Sequence, residues 1–142
     1  VGVFEKKLLK IFANSLKNLN IKFAWIVNSE DGLDEISPYA KTNVVQLKND
    51  NISEIIIDPK ELNINVEKFE NLVGDSPKFN AEKMINIFKG EDNDFSVAVC
   101  LNAAAGLIVN ESHQNFIDAY QDAKEHILSG KTFKYLKKIQ NE

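Results

Sequence analysis

The chain has 142 residues, of which 44% are hydrophobic and 27% are charged, and its net charge at pH 7 is −4. This is the size and composition of one globular domain. No apolar run is long enough to cross a membrane. The negative net charge argues against a protein that binds duplex nucleic acid. The single cysteine, Cys100, cannot form an internal disulfide, which is typical of a reducing compartment, so we expect a cytoplasmic location.

The first part of the chain predicts a helix, a buried strand and a hairpin. Apolar residues at helical spacing over residues 4–19 predict a stripe that includes Ile11 and Phe12. Residues 23–27 are all apolar, which is typical of a strand covered on both faces, as in a parallel sheet. Two β-rich segments then flank Lys48-Asn-Asp-Asn51 and predict a hairpin.

The rest of the chain predicts helices that pack on this sheet. Asp58-Pro59 is a helix-start signal, and Asn65 helps to predict an early end for that helix. Asn80 is the expected N-cap of the next helix. Further helical patterns cover residues 95–109, 116–130 and 133–139, and the first of these is apolar on nearly every side. The order of elements predicts an α/β fold with helices on the sheet.

An acidic turn follows the predicted buried strand. The run Asp31-Gly-Leu-Asp-Glu35 contains the adjacent carboxylates Asp34 and Glu35, and no basic residue lies among residues 29–40. Most acidic turns are solvated bends, and that interpretation stays open. The position allows another: ligand sites in open α/β sheets lie beyond the carboxyl ends of strands, and neighbouring carboxylates that repel each other suit a hard cation such as Mg²⁺.

The same turn carries a resemblance to a known family. The segment DGLDEIS at residues 31–37, with the apolar strand before it, resembles the acidic motif of the anthranilate phosphoribosyltransferases. Other segments resemble that family in the same order, and the resemblance extends over essentially the whole chain. They are IIIDPKEL at residues 55–62, GDSPKFNAEKMINIFKG at 74–90 and LNAAAGL at 101–107.

The resemblance implies a fold, an activity and a metal site. The fold is the nucleoside phosphorylase/phosphoribosyltransferase α/β domain, a sheet flanked by helices, and residues 1–142 would be its C-terminal part. Members of the family transfer the phosphoribosyl group of phosphoribosyl pyrophosphate (PRPP) to anthranilate in tryptophan biosynthesis. The adjacent acids of the motif hold Mg²⁺ that bridges to the pyrophosphate, and the matching residues here are Asp34 and Glu35.

Other parts of the family pattern have no counterpart in this chain. The glycine-rich GTGGD phosphate loop and the KHGN segment do not occur, and no two of the six glycines lie within two residues of each other. We therefore expect the N-terminal helical domain and the phosphate-loop segment to be absent, and the chain alone to be inactive. We also expect exposed apolar surface and self-association. The resemblance implies a homodimer for the full-length enzyme, with neither nucleic acid nor a membrane as partner.

Two other functions remain as alternatives. A transferase-like relative that binds nucleic acid would be expected to carry basic surface and to have lost the acidic motif. A pyrimidine nucleoside phosphorylase shares the fold, but the DGLDEIS run argues against it. Both alternatives rank below the transferase.

Four polar or reactive residues outside the turn have structural interpretations. Asn102, within the apolar helix, is predicted to be a hydrogen-bonded core amide that ties two elements together. Cys100 is predicted to be a small core residue. His113 and His126 lie near helix ends, without the neighbouring ligands that a zinc site requires.

Overall fold

The structure is a computed structural model of the chain, and it describes residues 1–64, 66 and 69–141. Within these ranges one helix precedes a three-stranded sheet, and two short 3-10 turns and four helices follow it. The strands are β1 (Phe23–Ser29), β2 (Thr42–Lys48) and β3 (Asn51–Ile57). The helices are α1 (Leu8–Asn18), α2 (Pro77–Phe88), α3 (Asp94–Val109), α4 (Phe116–Leu128) and α5 (Lys131–Gln140), and the 3-10 turns are Pro59–Leu62 and Phe69–Leu72. No helix in the described part of the chain has both the length and the apolar character needed to cross a membrane.

The sheet is antiparallel, with the strand order β1-β2-β3. On the free side of β1, Val3 N–H donates to the carbonyl of Val27 and Val27 N–H donates to the carbonyl of Val1, each at 2.9 Å. This contact is a short parallel pairing. The prediction of a parallel sheet from residues 23–27 is therefore wrong for β1, β2 and β3. In the described residues, parallel pairing is confined to this contact.

Strand β1 is nevertheless buried on both faces, because helices lie on both sides of the sheet. Ala24 and Ile26 pack with Ala13 of α1 in one apolar cluster. Trp25 and Val27 alternate with them along the strand and face a larger cluster that contains α3 and α4. The predicted α/β fold, with a sheet flanked by helices, is confirmed.

The hairpin between β2 and β3 is confirmed, and its turn explains the register. Asn49 and Asp50 both have positive φ, at 48° and 66°. Two left-handed residues in a two-residue loop give the twist that antiparallel strands need, and Asn and Asp tolerate this conformation better than most residues.

Helix α1 begins later than expected, and most of its predicted apolar stripe faces outward. Ile11 is 57% exposed and Phe12 is 40% exposed, whereas Leu9 and Ala13 are buried against the sheet. The helix is apolar on two sides, and the side with the small Ala13 allows the closer approach to the strands. Of the predicted stripe, Leu8 packs against the sheet-side cluster, whereas Ile11 and Phe12 do not, so the stripe is not the main buried face of the helix.

The start of α2 differs from the prediction. The helix begins at Pro77, and the Ser76 hydroxyl accepts a hydrogen bond from Phe79 N–H at 3.3 Å. Asn80 is not the N-cap; its side-chain amide bonds both the N–H (3.0 Å) and the carbonyl (3.2 Å) of Asp75. Proline's fixed φ favours the first helical position, and this decides the boundary.

The predicted helix at residue 58 is a 3-10 turn, Pro59–Leu62. The Asp58 carboxylate accepts from Lys60 N–H at 3.0 Å, as the N-cap prediction requires. Asn63 follows with a φ of 55° and ends the turn. Asn65, which contributed to the prediction of a short helix, lies outside the described residues.

Helix α3 is the core helix that the sequence predicts. Asn93 and Ser96 form a capping box in which each side chain accepts from the other residue's backbone N–H at 3.0 Å. Cys100, Leu101 and Ala104 are at most 1% exposed, so the prediction for Cys100 is confirmed; the helix is buried along this side, whereas Val99 on another side is 39% exposed. The helix is thereby held firmly beneath the acidic loop.

Candidate metal centre

The acidic turn forms an ordered loop between the end of β1 and the start of β2. Ser29 N–H donates to the carbonyl of Leu33 at 2.9 Å, and Gly32 N–H donates to the carbonyl of Ser29 at 3.1 Å. Gly32 has a φ of 94°, a conformation that L side chains rarely adopt. The loop therefore turns back on itself directly after the strand.

Asp31 and Ser37 shape the loop from inside. The fully buried Ser37 hydroxyl donates to the Asp31 carboxylate and accepts from Tyr39 N–H at 3.0 Å. Ser37 N–H donates to the Thr42 hydroxyl at 3.1 Å, and the other Asp31 oxygen accepts from Leu33 N–H at 3.2 Å. Asp31 is therefore a structural acid, although the sequence alone does not separate it from the acids that follow.

Asp34 and Glu35 differ from Asp31 in having no such partners. Both are exposed, and neither forms a hydrogen bond or an ion pair with another described residue. Lys41, the next basic residue along the chain, pairs with Asp58 at 3.3 Å. No basic side chain in the described part of the chain forms an ion pair with either of the two adjacent carboxylates.

The acid pair borders a cavity of about 630 Å³ between the first residues of the chain, α1, β1 and α3. Its wall is mostly apolar, with Asp34, Glu35 and Asn102 as its polar side chains. The apolar residues include Leu16, Phe23, Trp25, Ile36, Ala105 and Val109.

Asn102 joins α3 to the acidic loop. Its side-chain oxygen accepts from Ile36 N–H at 2.9 Å, and its amide nitrogen donates to the Ile36 carbonyl at 3.1 Å. The same nitrogen donates to the carbonyl of Ala98, one turn earlier in α3, at 2.9 Å. The predicted core amide that ties two elements together is confirmed.

Gly2 also contacts this loop, and sequence reasoning did not single it out. A Cβ atom at this position would lie 1.6 Å from the carbonyl oxygen of Asp34, so only glycine fits without displacing the backbone. The available signal was a glycine between Val1 and Val3 in a short apolar segment before the first helix.

The geometry offers two free carboxylates and no complete coordination shell. In residues 1–64, 66 and 69–141, no group of three or more His, Cys, Asp and Glu side chains is placed to hold a metal ion. Mg²⁺ is commonly held by one or two carboxylates, with water and substrate phosphate oxygens as its other ligands. Asp34 and Glu35 fit that pattern by donor type and by their lack of a cationic partner.

Cys100 and Tyr39, which lie outside the acid pair, have clearly raised pKa values. Burial raises the pKa of the Cys100 thiol to about 11. Burial, with Asp94 nearby, raises the pKa of Tyr39 to about 12. His113 contacts Asp122, with 3.5 Å between Nε2 and the carboxylate, rather than any residue of the acidic loop.

Comparison with known proteins places this geometry in a family. A model of the glycosyl transferase family, a/b domain, matches residues 1–133. The chain belongs to this family. Within the glycosyl transferase family it is 74% identical to the anthranilate phosphoribosyltransferase of Pelagibacter ubique over 141 residues, which are 99% of this chain and 43% of that relative. The resemblance read from the acidic motif is thereby confirmed.

Solved structures agree on the fold. The anthranilate phosphoribosyltransferase of Thermus thermophilus superposes with a TM-score of 0.86 at 26% identity, covering 96% of this chain and 40% of that one. The Saccharomyces cerevisiae enzyme in complex with PRPP and Mg superposes with a TM-score of 0.85 at 24% identity, again over 96% and 40%. The chain therefore spans less than half the length of the relatives it matches.

Proposed function

We propose that this chain is part of an anthranilate phosphoribosyltransferase, which transfers the phosphoribosyl group of PRPP to anthranilate in tryptophan biosynthesis. The 74% identity to the Pelagibacter ubique enzyme supports this activity above the others of the same fold. The observation that carries the proposal is the unpartnered pair Asp34 and Glu35, which is exposed at the end of β1 beside a cavity.

Asp34 and Glu35 are the proposed ligands of Mg²⁺. When bound, the ion would supply the positive charge that neutralises pyrophosphate as it leaves the ribose. The chain's own contribution is to present two carboxylates with no competing cation, on a loop held by Asn102 and Ser37. The yeast relative in complex with PRPP and Mg supports the choice of ion and of diphosphate substrate.

The remaining parts of the site belong to segments that this chain does not match. We assign residues 1–142 to the C-terminal part of the α/β domain, with the phosphate loop, the anthranilate contacts and the helical domain supplied elsewhere in the protein. On this basis we expect the chain alone to be inactive, and the family resemblance implies a homodimer for the full-length enzyme.

The test is a graft protein, in which this chain replaces the matching 43% of the Pelagibacter ubique enzyme. We expect the graft protein to convert anthranilate and PRPP in a Mg²⁺-dependent reaction, and the chain alone to show no turnover. Replacing the pair (Asp34→Asn with Glu35→Gln) should lower kcat/KM by about 100-fold or more, because charge stabilisation of the leaving group is lost.

A matched control is Glu30→Gln, which removes another exposed acid of the same loop and should leave turnover unchanged. The proposal is wrong if the double variant keeps both its turnover and its Mg²⁺ dependence. Phosphorolysis of pyrimidine nucleosides by the graft protein would favour the phosphorylase instead, and salt-sensitive DNA binding would favour the nucleic-acid-binding relative.

A further inference from the structure

The acid pair lies in the part of the loop with the fewest hydrogen bonds of its own. Before the pair, the loop closes through Ser29 and Leu33, and after it the Ser37 hydroxyl accepts from backbone N–H groups. In the described residues, no backbone hydrogen bond involves Asp34 or Glu35. The position of the pair therefore depends on the contacts of the residues on either side, together with the packing of Gly2 against the Asp34 backbone.

Ile36 directly follows the pair, and both its backbone N–H and its carbonyl form hydrogen bonds with the same side chain. Asn102 accepts from Ile36 N–H at 2.9 Å and donates to the Ile36 carbonyl at 3.1 Å. A peptide unit is planar, so fixing Ile36 N–H fixes the plane of the Glu35–Ile36 peptide and the place of the Glu35 Cα in it, which restricts the directions open to the Glu35 side chain.

The third bond of Asn102 fixes the orientation of its amide. Its nitrogen also donates to the carbonyl of Ala98, so both amide hydrogens are used and a flipped amide would place its oxygen against two carbonyls. Leucine at this position has a similar size but neither donor nor acceptor. An amide is thus the group that can satisfy this arrangement.

We propose that Asn102 is a positioning residue for the metal pair: by holding both backbone groups of Ile36, it fixes where Glu35 presents its carboxylate. This inference rests on the proposed function, because it assigns Asn102 a role towards the ion that Asp34 and Glu35 would hold. Residues that orient metal ligands typically alter metal affinity by about 10- to 100-fold when replaced. Ile36 itself is only 1% exposed, so its apolar burial keeps the loop attached when Asn102 is changed.

The chain contains a matched control for this arrangement. Asn80 makes the same pair of bonds to the N–H and carbonyl of Asp75, at 3.0 and 3.2 Å, at the start of α2. Asn80 does not line the cavity beside the acid pair. Asn80→Leu therefore removes an equivalent pair of bonds at a different place in the fold.

The first experiment measures Mn²⁺ binding to the graft protein by electron paramagnetic resonance, with PRPP present. We expect Asn102→Leu to raise the half-saturating Mn²⁺ concentration by about tenfold or more, and Asn80→Leu to change it by less than about twofold. Asn102→Ser, which is too short to reach both Ile36 groups, is a second variant with the same expected direction. A shift below about twofold in a folded Asn102 variant would overturn the proposal.

The second experiment uses the unsubstituted graft protein, so its result does not depend on whether any variant folds. Hydrogen exchange in the unsubstituted graft protein should show Ile36 N–H protected relative to Glu35 N–H, which has no partner in the described residues. Equal exchange of the two amides means that Asn102 does not hold Ile36 in solution, and the proposal fails.

The outcomes separate this inference from the proposed function. If the Asp34→Asn, Glu35→Gln double variant binds Mn²⁺ as the unsubstituted graft protein does, the metal site itself is wrong and both proposals fail. If the double variant loses binding while the Asn102 variants keep it, only the role of Asn102 is wrong.

Discussion

Asp31 and Ser37 are joined across the acidic loop by a hydrogen bond from the buried serine hydroxyl to the aspartate carboxylate. This bond divides the acids of the DGLDEIS segment into two kinds. Asp31 is engaged inside the loop, whereas Asp34 and Glu35 point outward without partners in the described residues. One acid of the segment therefore builds the loop on which the other two are displayed.

Ser37→Ala should destabilise the protein without touching the acid pair directly. The buried Ser37 hydroxyl donates to the exposed Asp31 carboxylate and accepts from Tyr39 N–H, so alanine removes both of these bonds from the loop. We expect a loss of about 1–3 kcal/mol, measured as a lower urea midpoint of the graft protein. Ser53→Ala, at an exposed position of β3, is the control and should have little effect. Equal midpoints for the two variants would contradict the structural role of Ser37.

Gly2→Ala should disturb the loop from the opposite side. The added Cβ would lie 1.6 Å from the Asp34 carbonyl oxygen, so either the first residues or the acidic loop must move. Overpacking of this kind costs about 1–3 kcal/mol, and we expect weaker Mn²⁺ binding as well because Asp34 is displaced. Gly106→Ala, in α3 on the wall of the same cavity, meets nothing within 4 Å and should be neutral or slightly stabilising. An unaffected Gly2→Ala variant would show that the close contact does not exist in solution.

The Cys100 thiol should be unreactive in the folded protein. Its pKa is raised to about 11, first by burial, while Lys124 acts in the opposite direction. At pH 8 about one thiol in a thousand is then ionised, compared with about a quarter in an unfolded chain with a pKa near 8.5. We expect iodoacetamide to label the native protein at least about 100-fold more slowly than the urea-unfolded protein. Labelling at similar rates in both states would contradict the burial of Cys100.

The same pKa shift has a defined sign for stability. The folded state holds the thiol proton more tightly than the unfolded state, so this contribution is fully present below pH 8.5 or so and is lost as the pH rises towards about 11. A Cys100→Ala variant should therefore lose less stability than the unsubstituted protein across that alkaline range. The comparison is made by urea unfolding at several pH values.

The chain alone should self-associate through the outer face of α1. Ile11 and Phe12 are 57% and 40% exposed on one side of that helix. Exposed apolar patches of this kind favour association, so sedimentation should detect species larger than the monomer, and Ile11→Ser with Phe12→Ser should reduce them. Leu9→Ala, on the buried side, should instead destabilise the fold by about 2–5 kcal/mol. A clean monomer at high concentration would contradict this prediction.

The elements best predicted from the sequence are those decided by local chemistry. The Asn49-Asp50 turn needs two left-handed residues and has them, and the long apolar run of α3 with its Asn93 cap identifies that helix. In contrast, α1 is apolar on two sides, and only its position on the sheet decides that Ala13 faces inward. Neighbouring sequence signals also compete. Pro77 favours the first position of a helix, so α2 begins there and Asn80 lies inside the helix rather than at its N-cap.

The candidate site was predicted in part. The resemblance of the DGLDEIS segment to the family motif implied Asp34 and Glu35 as the metal ligands, which stays a prediction, and the structure places both beside one cavity. The structural role of Asp31 depends on a folded-back loop, and that of Gly2 depends on a chain segment that reaches the loop from outside. Neither relationship follows from spacing along the sequence.

Ile36 and Asn102 are 66 residues apart. During synthesis at about 5–20 residues per second, the acidic loop precedes its partner helix by several seconds. A nascent or truncated chain that ends before α3 therefore carries the complete DGLDEIS segment but nothing to hold its Ile36. On the proposed role of Asn102, such a chain keeps the acidic motif in its sequence but lacks the contact that orients it.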